Sequence, residues 1–192
     1  MNTRLSSRFV DALQFALKLH GEQTRKGTDI PYVSHLLGVA SIVLEHGGSE
    51  DEAIAALLHD AGEDSGGQAT IDDIRHRFGD TVADLVLGCT DTLEEPKPNW
   101  RIRKEAYIAH LAEADRSMCL VSAADKLHNA RSIEHDYRVL GESLWSRFRG
   151  GKDGTLWYYR TLTEAFRSKE LGSLVDDLNA VVSRIEQMSQ EP

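Results

Sequence analysis

Apolar residues along this chain recur mostly at intervals of three and four, the spacing of one face of an α-helix, rather than alternating as in a half-buried strand. Leu5, Phe9, Leu13, Ala16 and Leu17 make a first stripe. Residues 21–31 read as a loop, and a second helix is predicted from about Tyr32 to the stop at Gly47-Gly48. Ser49 followed by Glu52 has the form of a capping box opening a third helix through Ile54, Leu57 and Leu58. Gly62 and Gly66-Gly67 then interrupt the pattern. Thr70 and Asp73 mark another helix start, Gly79 a stop, and residues 82–89 continue helically. Pro96 and Pro98 mark a loop, after which residues 101–113 and 118 to about 135 are predicted helical. Gly150-Gly151 and Gly154 read as breaks before the aromatic run Leu156-Trp157-Tyr158-Tyr159. The last helix spans about 174–188.

The expected architecture is therefore all-α, a single-domain helical bundle over residues 1–192, with no repeat, low-complexity tract or dividing linker. At 192 residues the chain is long enough for one full-sized core. Its net charge of -9 argues against a general nucleic-acid binder. Basic residues still cluster at Arg25-Lys26, at Arg101, Arg103 and Lys104, and at Arg147, Arg149 and Lys152, islands that suit a small phosphorylated ligand. No apolar run approaches the roughly 20 residues of a membrane span, and the first residues lack a signal-peptide hydrophobic region. Cys89 and Cys119 have no CxxC spacing and read as reduced structural thiols. The expectation is a cytoplasmic protein with no membrane or nucleic-acid partner; homo-oligomerisation is left open.

The chemistry concentrates in Leu57-Leu58-His59-Asp60-Ala61-Gly62-Glu63-Asp64. His59 and Asp60 end an apolar helical segment, and Glu63 and Asp64 follow each of them by four residues. Candidate partners lie upstream at His35 and downstream at Asp125. Taken singly, each has an ordinary structural explanation: a helix-end pair, a core histidine, or a surface ion pair with Lys126. Jointly, two imidazoles and two carboxylates suit a first-row divalent ion with positions left for water and substrate. Glu63 and Asp64 stand one turn away, where a carboxylate can orient or deprotonate an attacking water. His20, His46, His76, His110 and His135 lack a comparable context and read as surface or structural.

These motifs resemble the HD-domain metal phosphohydrolases, and within them the hydrolase domain of the Rel/SpoT alarmone enzymes and their free-standing small relatives, including the metazoan SpoT homologue. The similarity runs from about Phe15 to Arg131. It is carried by Arg25-Lys26-Gly27, by Pro31-Tyr32-Val33-Ser34-His35, by the His59-Asp60 and Glu63-Asp64 pairs, and by Asp125-Lys126-Leu127-His128-Asn129-Ala130-Arg131. The resemblance implies an all-helical bundle with His35, His59, Asp60 and Asp125 as ligands of a divalent metal, usually Mn2+. It makes Glu63 and Asp64 the catalytic pair, Arg25 and Lys26 contacts to base and phosphates, and Asn129 a sugar contact. Lys152 and Tyr158 fall where relatives place phosphate-binding and base-stacking groups. The implied reaction is hydrolysis of the 3′-pyrophosphate of guanosine tetra- or pentaphosphate, without synthesis. Leu36 and Gly62 depart from the usual pattern, and the match weakens from Tyr137 onward. Alternatives are the same metal chemistry on an adenosine alarmone, a nucleoside monophosphate or the 2′-phosphate of NADPH, and a non-catalytic nucleotide-binding module.

Overall fold

Ser49 caps the helix around which the others pack. Its side chain accepts a hydrogen bond from the Glu52 N–H while the Glu52 carboxylate accepts one from the Ser49 N–H, the reciprocal capping box expected from the sequence. The helix it opens, α3 (Glu50–Leu58), is buried at every position from Glu52 to Leu58. Ala53, Ala55 and Ala56 keep its surface narrow, so helices close on all sides, and an all-round apolar helix belongs in such a core. Around it pack α1 (Ser7–His20), α2 (Val33–Glu45), α6 (Asp80–Cys89) and α8 (Arg116–Leu140). Burying each of Leu57 and Leu58 contributes about 1.5–3 kcal/mol.

This computed structural model describes residues 3–94 and 96–190. The remaining elements are α4 (Ala61–Asp64), α5 (Gln68–Phe78), α7 (Trp100–Glu113), a 3-10 turn (Gly141–Arg147), α9 (Gly151–Phe166) and α10 (Ser173–Gln190). No strand forms among the described residues; one bridge, Thr24 to Pro31, draws the α1–α2 connection into a small hairpin. A single buried cluster extends from Ala12 to Ile185, with α10 laid along α8 and α9. No helix among the described residues is long and apolar enough to cross a membrane.

Four details differ from the sequence-based expectation. Helix α1 buries Ala12, Phe15, Ala16 and His20 and leaves Leu17 exposed, with Leu5 ahead of the helix and also exposed, because the small alanine side permits the closer approach to α3. Helix α5 begins at Gln68, where Gly67 turns with φ +61°, ahead of Thr70. Helix α8 runs past His135 to Leu140 and stops where Gly141 adopts φ +55°. Gly154 lies inside α9 rather than breaking it.

Gly150 and Gly154 make room for a neighbour. A Cβ on Gly150 would lie 2.6 Å from the Trp100 ring, and one on Gly154 3.1 Å from it. The indole therefore locks the start of α7 onto α9. Gly150→Ala is expected to cost about 2 kcal/mol by overpacking, a melting-temperature loss of about 4–8 °C, measurable by thermal denaturation.

Candidate metal centre and substrate cleft

Three helices and the turn after α3 bring the four predicted ligands together, His35, His59 and Asp125 as the tight group and Asp60 against the two imidazoles. His35 projects from the first turn of α2, His59 caps the C-terminus of α3, Asp60 follows it, and Asp125 lies midway along α8. His35 Nε2 is 3.3 Å from His59 Nε2, 3.3 Å from Asp125 Oδ1 and 3.7 Å from Asp60 Oδ2. His59 Nε2 is 3.0 Å from Asp60 Oδ2 and 3.6 Å from Asp125 Oδ1. His35, His59 and Asp125 each offer a ligand atom within 4.8 Å of the others, and all three residues are buried.

The hydrogen bonding behind these atoms tests whether a cation fits. His59 Nδ1 donates to the Ala56 carbonyl at 2.8 Å, so a neutral ring turns its Nε2 lone pair inward. His35 Nδ1 meets His128 Nδ1 at 2.9 Å, so a hydrogen on His35 Nδ1 leaves its Nε2 lone pair facing inward as well. Two imidazole lone pairs and two carboxylate oxygens then face each other in a largely buried space, an arrangement that calls for positive charge. Burial acts to lower the pKa of His59, yet the carboxylates of Asp60 and Asp125 outweigh it and raise it well above the usual range. Burial opposes the ionisation of Asp60 and Asp125, but His59 beside the first and Lys126 beside the second hold both well below the usual carboxylate range. The donor set, two nitrogens and two oxygens with no thiolate, fits a first-row divalent ion such as manganese, iron, cobalt or zinc.

Each ligand is held from behind. The Tyr32 hydroxyl donates to Asp60 Oδ2, and burial together with the Asp60 charge keeps the phenol protonated. Asp125 Oδ1 accepts from Asn129 Nδ2 at 2.5 Å and Oδ2 from Lys126 Nζ at 2.5 Å. His128, with burial as the main cause and the neighbouring His35 and Arg25 assisting, is pushed down to about 4 and faces His35 as a neutral ring. It can do so because residue 38 is glycine: a Cβ there would overlap the His128 ring. His128→Ala is expected to weaken divalent-metal binding about 10–100-fold, measured by calorimetry on metal-stripped protein, with overall helicity unchanged.

The two acidic residues after Asp60 part ways. Glu63 lines the cleft over the centre, where its Oε1 pairs with Lys97 Nζ at 2.9 Å. Asp64 is solvent-exposed and accepts from Gln23 Nε2 at 3.0 Å, and partial desolvation with the nearby charges of Asp60 and Glu63 raises its pKa. A Cβ on Gly62, just before them, would meet Ile71 Cδ1 at 2.9 Å, so a side chain there would have to displace that methyl group.

The cleft has a volume of about 790 Å³ and joins a second chamber of about 420 Å³. Arg25, Lys26, Asn129 and Tyr158, all predicted to touch substrate, line the main cleft. Arg25 and Asn129 also bond to one another at 2.7 Å, which links the basic rim to Asp125. Tyr158 borders both chambers with its buried hydroxyl unpartnered among the described residues, and burial pushes it up to about 12. Lys152 is a correction: its ammonium bonds Glu142 at 2.8 Å and the Ser189 carbonyl at 2.6 Å, tying α9 to the 3-10 turn and α10 away from the cleft. The basic islands in the sequence divide the same way. Arg103, Lys104, Arg147 and Arg149 face the chambers, whereas Arg101 stacks on Trp157 at 3.3 Å. Sequence reasoning gave no role to Tyr32, Lys97, His128 or Gln23. His20, read as surface or structural, is buried.

Residues 12–156 match the HD domain family model. The guanosine-3′,5′-bis(diphosphate) 3′-pyrophosphohydrolase MESH1 of Xenopus tropicalis is 38% identical over 128 residues, covering 65% of this chain and 69% of that protein. The guanosine-3′,5′-bis(diphosphate) 3′-pyrophosphohydrolase of Aquifex aeolicus is 38% identical over 149 residues, covering 78% of this chain but 18% of that longer protein. A solved structure of a metazoan orthologue of SpoT, described as hydrolysing ppGpp, superposes with a TM-score of 0.78 at 26% identity, covering 95% of this chain and 98% of that one.

Proposed function

Because the chain belongs to the HD-domain family, we propose that it is a metal-dependent phosphohydrolase that removes pyrophosphate from the ribose 3′ position of guanosine tetra- and pentaphosphate, leaving GDP or GTP. The observation that carries the reading is the convergence of His35, His59, Asp60 and Asp125 at the floor of a cleft walled by cations. Manganese is the ion we assign to these four residues. When bound, it supplies Lewis acidity that polarises water and the phosphoryl oxygen.

The chain's own residues do the rest. Glu63 accepts the proton of the attacking water, and Asp64 is the second acidic neighbour that orients it. The cations of Arg25 and Lys26 attract and align the substrate's phosphates, and Asn129 contacts the sugar while bracing Asp125. Tyr158 offers its unpartnered hydroxyl and ring to the nucleotide. The two free thiols, Cys89 and Cys119, accord with a cytoplasmic setting.

The test is to strip the purified protein of metal, restore manganese and supply guanosine tetraphosphate. Pyrophosphate release is expected. Orthophosphate as the sole product, or turnover confined to an adenosine alarmone or NADPH, would sink the substrate assignment while leaving the metal chemistry standing.

A further inference from the structure

We propose that His20 and Gln23 form a positioning arm for catalysis, in which His20 fixes the orientation of the Gln23 amide and Gln23 fixes the carboxylate of Asp64. The inference rests on the reading of Asp64 as part of the acidic pair that handles the attacking water.

His20 sits in the last turn of α1 with 1% of its surface exposed. Its Nε2 has no partner among the described residues, and its Nδ1 meets Gln23 Oε1 at 2.7 Å. Burying an imidazole with half its hydrogen-bonding capacity unused is costly where an aliphatic side chain would fill the same space. The single polar contact is therefore the one with a purpose.

The chemistry of that contact is directional. A carboxamide oxygen only accepts, so His20 Nδ1 carries the hydrogen and donates it. With the oxygen committed to His20, the Gln23 NH2 group faces the other way and donates to Asp64 Oδ2 at 3.0 Å. Turning the amide over would set oxygen against a carboxylate and NH2 against an N–H. Gln23 is also the one side chain hydrogen-bonded to the Asp64 carboxylate among the described residues. A neutral amide is well suited here, because it orients the carboxylate without placing a competing cation beside it, as a lysine would.

The backbone is arranged to match. The Gln23 N–H donates to the His20 carbonyl at 3.0 Å, and the Tyr32 N–H donates to the Gln23 carbonyl at 2.8 Å. Gln23 and Tyr32 thus face each other across the α1–α2 hairpin. Their side chains reach the same short turn, Tyr32 to Asp60 and Gln23 to Asp64. The His20 ring lies 5.4 Å from that of Tyr32, so one buried imidazole backs both contacts.

Steady-state kinetics on manganese-loaded protein with guanosine tetraphosphate test the arm. Gln23→Met, which keeps the shape and removes the donor, is expected to lower kcat about tenfold or more while KM and manganese affinity stay within about twofold. His20→Ala is expected to lower kcat similarly, and His20→Asn, whose amide nitrogen can stand where Nδ1 was, to restore most of it. The double variant Gln23→Met/His20→Ala is expected to be no slower than Gln23→Met alone, because both break one chain of contacts. Wild-type kcat in Gln23→Met, or losses that multiply in the double variant, would overturn the inference. Should His20→Ala fail to fold, Gln23→Met at its half-buried site and His20→Asn still decide. If the unaltered protein releases no pyrophosphate, the functional reading falls and this inference with it. If it does, and Gln23→Met is unaffected, this inference alone falls.

Discussion

Replacing His59 with alanine is expected to slow pyrophosphate release about a thousandfold and to leave a protein that manganese cannot rescue. His59 Nε2 lies within 3.6 Å of a donor atom on each of the other three ligands, so its removal takes out the hub of the set. A bound divalent ion stabilises the charge of the transition state by several kcal/mol, and about 4 kcal/mol corresponds to three decades in rate. Unaltered protein treated with a chelator should show a similar loss, reversed by adding manganese. Equal turnover in the alanine variant and the parent would mean that the ion, if bound, plays no part in the chemistry. The metal-free state adds a sign that can be checked. The carboxylates of Asp60 and Asp125 raise the proton affinity of His59, so the imidazolium stabilises the metal-free fold at low pH and that contribution disappears as pH rises through the raised value. A manganese ion bound by His59 would compete with this proton. Its affinity should therefore rise with pH until His59 is neutral and then level off, as a calorimetric titration across a pH series would reveal.

Glu63→Gln is expected to cut kcat by about 10²–10⁴ with manganese binding unchanged. The substitution keeps the volume and hydrogen-bonding reach of the side chain while removing its capacity to take a proton. It also breaks the charged contact with Lys97, whose ammonium is then free to turn toward substrate. The separation of outcomes is what makes this variant informative. Loss of turnover with the metal still bound assigns Glu63 to proton transfer, whereas loss of the metal would place its role in holding the ion. Near-normal turnover would hand the proton to another group, with Asp64 the nearest carboxylate in sequence.

The parts of the molecule that were legible in sequence are those whose cause is local. Ser49 and Glu52 announce α3 because a capping box is made by residues three apart. The two adjacent pairs, His59-Asp60 and Glu63-Asp64, stand out because they concentrate imidazole and carboxylate groups within six residues. What was not legible depends on neighbours far along the chain. His128 is one imidazole among eight until α2 and α8 cross and set it against His35. Gln23 and Lys97 are ordinary polar residues until the turn after α3 brings Asp64 and Glu63 beside them. Gly154 reads as a break because the local pattern cannot show that an indole from α7 needs its space. Lys152 belongs to a basic island whose other members reach the chambers, yet its own side chain is drawn to Glu142 and Ser189 instead.

The four donors belong to α2, to the end of α3 and to α8, three pieces of chain that meet only in the folded state. A divalent ion bound among them would act as a removable staple. Its occupancy shifts the unfolding equilibrium as any ligand of the native form does, by about 2.7 kcal/mol at a hundredfold excess over Kd. Where the metal is scarce, the chain is therefore expected to open to proteases more often, so its abundance should fall together with its activity.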